Sequence, residues 1–281
     1  MAFVQLNYLN QRPLAFLAGA EGNVPALKAC LQQAKRQSAN IRIFLGNAFG
    51  AFGHSDETLF QLETQCTWLL RGQHERLLLQ RFSPPNGTRH DKPSDSRFNS
   101  PQDNQEKYIP ANQNAWQWLH NDTRLRRAQS SFSYHNMRHL TQWTDLIRIQ
   151  TPNGALLACH NSPDYMFPGA VNQHNLDKGQ ILSWLEQYHC QGLIIGSDHQ
   201  PWIEHLPEGR FVASCGASGF ASHPLYSDVH YLLIEPFRDK LIPRIERVTY
   251  DAKDWAKQLQ TEGVSSLLTY PLLKGLPPPE N

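Results

Sequence analysis

The sequence predicts an α/β fold with a largely parallel sheet, and three observations carry that prediction. Short apolar runs of strand length alternate with segments of helical periodicity. The first runs each stop at or beside a glycine. The order strand, helix, strand, helix, strand is the one that crossover connections produce.

The first run, Leu14-Ala-Phe-Leu-Ala18, ends at Gly19. A helix follows over Pro25 to Arg36. Leu27, Cys30, Leu31 and Ala34 recur there at helical spacing, Asn23 can cap, and Pro25 suits the first turn. Ile41-Arg-Ile-Phe-Leu45 is the next strand and stops at Gly46; Glu57 to Thr64 reads as helix; Thr67-Trp-Leu-Leu70 is a third strand before Gly72. Helical signal returns over Asn114–Leu125 and Asn136–Asp145. Leu146–Gln150 and Ala155–Cys159, separated by Pro152-Asn-Gly, read as a hairpin. Lys178–Tyr188 is a helix, and Gly192–Ile195, Phe211–Ala213, Val229–Ile234 and Leu241–Tyr250 are strands.

From Ser83 to Lys107 there is no Leu, Ile, Val or Met, and Phe98 is the one large apolar residue. Such a stretch cannot bury enough apolar surface to offset the entropy of ordering it. It reads as a long exposed loop over about 83–107, either a tolerated insertion or a lid or partner-binding loop. The tail from about residue 276 reads as frayed.

Composition excludes several classes. The chain has 281 residues, is 40% hydrophobic and carries a net charge of +1, so the overall balance gives no nucleic-acid footprint. Mean hydropathy is −0.53, as for a water-soluble protein. No run approaches the length of a membrane span, and no basic segment followed by an apolar run opens the chain. The five cysteines, Cys30, Cys66, Cys159, Cys190 and Cys215, are odd in number and lack zinc-finger spacing. They read as reduced thiols of a cytoplasmic protein.

In an open α/β sheet, ligands bind where strands end. Five strand ends carry polar or glycine-rich turns: Gly19-Ala-Glu-Gly-Asn23, Gly46-Asn-Ala-Phe-Gly50, Arg71-Gly-Gln-His-Glu75, His160-Asn-Ser-Pro163 and Gly196-Ser-Asp-His199. In order and context they resemble the signature blocks of the calcineurin-like metallophosphoesterases, and most closely the small prokaryotic phosphodiesterases of that superfamily. Those blocks read D-x-H-G-N, G-D-x-x-G, G-N-H-D/E, H-G-S-P and G-H-T-H. Ser214-Cys-Gly-Ala-Ser218 also looks like the family's N-P-G-S turn. The resemblance runs from about Arg12 to Tyr250. It implies one domain over residues 1–281, built as a four-layer α-β-β-α sandwich of two mixed sheets flanked by helices.

The family's chemistry needs two divalent metals about 3.5–4 Å apart, bridged by a carboxylate and the attacking hydroxide. Here the first block has Gly19 for its Asp and Glu21 for its His. Asn47 stands at the bridging Asp, Gln73 at the metal-binding Asn, and Ser197 at the first His of the last block. His160 and His199 match ligand positions, and His74 matches the His that protonates the leaving group. The resemblance therefore leaves Glu21, Asn47, Gln73, His160 and His199 as a degenerate metal site, with Asp198 near a second ion. Arg71 and Asn23 are its anion- or substrate-binding candidates, and Arg71 can alternatively pair with Glu75. No Asp lies near either lost position, and without a bridging carboxylate two close dications repel at low dielectric. The expected cofactor is none, or one weakly bound divalent metal (Mn, Fe, Zn or Ni). The expected role is binding or regulation without catalysis, toward a phosphate-containing small molecule or a protein partner, and with no membrane. The alternative is a phosphohydrolase with an atypical single-metal site.

Overall fold

The computed structural model of the protein describes residues 3–82, 127–128, 130–164, 171–220 and 227–274. The polar stretch 83–107, the helix expected over 114–125 and the tail from 276 lie outside the described residues.

The elements follow in chain order: β1 (Phe3–Asn7), β2 (Leu14–Leu17), α1 (Val24–Arg36), β3 (Ile41–Phe44), α2 (Ser55–Gln65), β4 (Trp68–Leu69), α3 (Gln73–Phe82), α4 (Tyr134–Gln142), β5 (Leu146–Thr151), β6 (Gly154–Cys159), α5 (Lys178–Gln187), β7 (Gly192–Ile195), β8 (Pro201–His205), β9 (Phe211–Cys215), β10 (Val229–Phe237), β11 (Lys240–Val248), α6 (Ala252–Thr261) and α7 (Ser266–Lys274). They form two sheets, one ordered β1-β5-β6-β7-β9-β8 and the other β11-β10-β2-β3-β4.

Both sheets are mixed, which corrects the largely parallel reading. Crossovers make β2, β3 and β4 parallel, and β6 and β7 likewise, while β9 runs parallel to β7 because the antiparallel β8 turns the chain back. The tight connections β5–β6 and β10–β11 force antiparallel pairs, because a short turn can only return the chain in the opposite direction.

Side-chain alternation builds the layers. In β2, Leu14 and Phe16 point between the sheets with Ile43, Ile147, Ile149, Ile194 and Leu232. Ala15 and Leu17 point the other way, toward Leu27 and Leu31 of α1 and Leu140 of α4. Leu157, Leu193 and Ile195 face α5 through Ile181, Trp184 and Leu185 on the opposite outer side. The result is the four-layer sandwich. A satellite core joins α6 and α7 to Ala51, Phe52, Ala217 and Phe220.

Helix α1 forms for the reasons its sequence gives. Asn23 caps it by accepting from the Ala26 amide at 3.3 Å, and its buried face holds Leu27, Cys30, Leu31 and Ala34. The helix expected over 136–145 instead covers 134–142. Thr144 is taken by a bridge to Leu70, with Thr144 N donating to Leu69 O at 3.1 Å and Arg71 N to Thr144 O at 2.8 Å. That bridge links the edge of one sheet to the chain entering β5 of the other. It places the turns after β3 and β4 on one rim with those after β6 and β7.

Candidate functional site

Backbone pairing assembles the rim. Gly19 N donates to Gly46 O at 2.9 Å, Glu21 N to Asn47 O at 3.1 Å and Gly22 N to Ala48 O at 2.9 Å, so the turns after β2 and β3 are zipped together. The third turn is tied in by a carboxylate. Glu75 is fully buried and accepts from Asn47 N at 2.8 Å, Ala48 N at 2.8 Å and Gly72 N at 2.7 Å. The expected Arg71–Glu75 pair therefore does not form. Arg71 instead grips Asp145 in bidentate fashion, Nε to Oδ1 at 2.9 Å and Nη2 to Oδ2 at 3.0 Å, and Arg76 reaches the same Oδ1 at 2.6 Å. Burial pulls the Arg76 guanidinium down, and Asp145 works against that pull.

Two glycines make the close approaches possible. A Cβ on Gly72 would lie 2.5 Å from Asn47 Oδ1 and 2.9 Å from His160 Cε1. A Cβ on Gly50 would lie 1.7 Å from Glu21 Oε2. The space those residues need exists only because no side chain is there.

Glu21 is fully buried and left-handed, with φ +55. Its Oε2 accepts from Ala51 N at 3.3 Å, and its Oε1 lies 3.5 Å from His74 Nδ1. His74 Nδ1 also lies 2.7 Å from Phe49 O. A carbonyl can only accept, so the Nδ1 proton points at it. Asn47 is left-handed as well, and its Oδ1 accepts from His74 N at 3.2 Å.

His160 crosses between the sheets. Its Nδ1 donates to Leu45 O at 2.6 Å, which leaves the lone pair on Nε2. That nitrogen is buried and has no hydrogen-bond partner among the described residues. Burial pushes the imidazole pKa down to about 3. The Leu45 carbonyl opposes the shift, while the nearby His74, His199 and Arg76 add to it. His160 is a neutral imidazole. His199 stacks on Phe220 with ring centroids 5.7 Å apart and 7° between planes, and its Cδ2 sits 3.8 Å from where a Gly19 Cβ would be. The turns after β2 and β7 thus face each other.

Other expected ligands lie elsewhere. Gln73 is exposed at the first residue of α3. Asp198 accepts from Gln200 N at 3.0 Å and Trp202 Nε1 at 2.7 Å, so its carboxylate is engaged in its own loop and not with a second ion. Asn23, expected to bind an anion, is fully buried. Besides capping α1 it donates to Gly219 O at 2.8 Å and Tyr250 Oη at 2.9 Å.

A dinuclear metal centre does not fit this donor set. Asn47 brings no charge to the bridging position, and its oxygen already accepts from a backbone amide. Glu21, the added anion, is turned onto Ala51 N and His74. Among the described residues, no group of three or more His, Cys, Asp or Glu side chains is arranged to hold a metal ion. Two guanidiniums, Arg71 and Arg76, both pair with Asp145, while Glu75 is met by three backbone amides and Glu21 by the Ala51 amide.

Sequence reasoning singled out Glu21, Asn47, His74, His160 and His199 as candidates because each follows a strand. It missed Asp145, which lies 74 residues from Arg71, and the three amides that engage Glu75.

No family model and no curated protein matches the chain. Solved structures do. A hypothetical protein from Pyrococcus horikoshii OT3 superposes with a TM-score of 0.70 at 18% identity, over 95% of this chain and 99% of the other. A metallophosphoesterase from Sphaerobacter thermophilus superposes with a TM-score of 0.63 at 16% identity, over 95% of this chain and 100% of the other. Likeness at such identities speaks for architecture. The protein has the fold of the calcineurin-like metallophosphoesterases, an α/β sandwich of two mixed sheets flanked by helices.

Proposed function

We propose that this chain uses the metallophosphoesterase fold for binding or regulation, not for two-metal phosphoester hydrolysis. One observation carries the reading. At the position where a carboxylate would bridge the metals, Asn47 presents a neutral amide whose oxygen is held by His74 N at 3.2 Å. A bridging anion is what offsets the repulsion of two close dications, and an amide cannot supply it. The proposed partner is a phosphate-containing small molecule or a protein. The proposed compartment is the cytoplasm. All five thiols are unbridged, which suits reducing surroundings, and among the described residues no helix is long and apolar enough to cross a membrane.

A second reading rests on His160. Its imidazole, with a buried Nε2 that has no hydrogen-bond partner among the described residues, is a donor suited to take a metal. That favours a single weakly held divalent ion, with His74 protonating a leaving group.

One experiment separates the two. Protein purified from Mn²⁺-supplemented medium is analysed for metal content and assayed on bis-p-nitrophenyl phosphate. The binding reading expects sub-stoichiometric metal and no chelator-sensitive turnover. Near-stoichiometric metal with turnover abolished by chelator and by His199→Ala would replace it with the hydrolase reading.

A further inference from the structure

The geometry points to Glu21 as a built-in ligand: its carboxylate fills an anion hole at a position that the family resemblance gives to a metal ligand. This inference rests on the reading that the crevice does not operate with two metals.

The hole is lined for a negative charge. Ala51 N donates to Oε2 at 3.3 Å, and the His74 ring lies against Oε1 at 3.5 Å. His74 belongs to the first turn of α3, where the helix dipole is positive. A cation at this spot would meet the Ala51 N–H, which is the wrong polarity.

The backbone is shaped around the carboxylate. Gly50 leaves open the space that Oε2 occupies, since a Cβ there would come within 1.7 Å of that oxygen. Glu21 itself sits at φ +55, a region that costs an L-residue energy, and the reach of its side chain into the hole accompanies that cost. Its side chain is fully buried, so in the wild-type protein the hole is already filled and closed to external anions. Emptied, it would hold one small carboxylate such as formate or acetate.

The test is chemical rescue of Glu21→Gly. Glycine takes the left-handed backbone without strain, so a loss of stability reports the missing carboxylate. The expected result is a Tm lower than wild type by about 5 °C or more. Millimolar formate or acetate should recover it in a saturable way, whereas chloride or Mn²⁺ should not, and wild type should not respond to formate. Glu21→Gln covers the case in which the glycine variant does not fold. It keeps the reach but removes the charge and can turn an amide donor toward the Ala51 N–H, so it should also lose stability and should show no formate rescue. Recovery of Glu21→Gly by Mn²⁺ and not by formate, no recovery at all, or a Glu21→Gln protein as stable as wild type would each overturn the inference. Metal-dependent turnover by wild type would sink the binding reading alone, since formate rescue is scored without any phosphoester.

Discussion

Oε1 of the buried Glu21 lies 3.5 Å from Nδ1 of His74, and that same nitrogen gives its proton to the Phe49 carbonyl at 2.7 Å. The pair joins the turn after β2 to the first turn of α3, and Phe49 joins both to the turn after β3. Three strand ends are held together by side chains of the protein itself. Removing the imidazole leaves the Phe49 carbonyl without its donor and takes away the ring that packs 3.5 Å from the Glu21 carboxylate. His74→Ala is expected to destabilise the fold by about 1–3 kcal/mol, read as a lower urea midpoint at unchanged slope. A change below a few tenths of a kcal/mol would mean that the pair does not hold the turns.

Glu75 has a larger role of the same kind. Its two oxygens accept from three buried amides, those of Asn47, Ala48 and Gly72, all within 2.8 Å. Glu75→Ala strands all three, and each unsatisfied buried amide costs about 1–3 kcal/mol. The variant should lose at least about 3 kcal/mol. Glu75→Gln should be intermediate, because the amide keeps one acceptor oxygen and turns a donor toward other donors. A Glu75→Gln protein as stable as wild type would show that the carboxylate charge contributes nothing.

Local signals explain what the sequence discloses. Strands β2 and β3 and helix α1 are readable because capping by Asn23, Pro25 in the first turn and the period of Leu27, Cys30, Leu31 and Ala34 all act within a few residues of one another. The crevice residues are readable for a related reason, since each follows an apolar run that ends in a turn. The elements that escape lack such agreement. Helix α3 carries Leu77, Leu78 and Leu79 in succession, which hides its period, and it precedes the polar stretch. Strand β1 shows alternation in Val4 and Leu6 but is half-exposed at a sheet edge. Trp255, Ala256 and Leu259 give α6 a buried face that sequence reading overlooked. Partners fixed only by the tertiary fold, such as Asp145 for Arg71 across 74 residues, leave no local trace.

Acid should weaken the protein through His160. In the folded state its pKa is pushed down to about 3 from an ordinary 6.5, so the unfolded chain binds a proton that the native state refuses. The stability it contributes is complete above about pH 6.5 and is lost as pH falls, by up to about 1.4 kcal/mol for each pH unit, until the folded pKa is reached. Carboxylates add their own acid dependence, so the informative quantity is wild type minus His160→Asn. The asparagine amide can keep the donation to Leu45 O and cannot titrate. The difference should be flat above about pH 7 and should shift steadily in favour of the variant below about pH 6. A flat difference down to pH 4 would mean that the imidazole is protonated in the native state.

Gly72 tests how tightly the rim is packed. A methyl group there would meet Asn47 N and Oδ1 at 2.5 Å and His160 Cε1 at 2.9 Å. The Asn47 backbone cannot retreat easily, because its amide is bound by Glu75 and its side-chain oxygen by His74 N. Relief would have to come from His160, whose Nδ1 is bound to Leu45 O across the inter-sheet core. Gly72→Ala is therefore expected to cost about 1–3 kcal/mol, well beyond the few tenths typical of an exposed turn glycine. The loss should shrink in a Gly72→Ala/His160→Ala double variant, where the ring no longer blocks the methyl group. Measured as a double-mutant cycle by urea denaturation, a coupling of about 0.5 kcal/mol or more would show that His160 is held against the third turn. Strict additivity would show that the turn accommodates the methyl group by moving away from it.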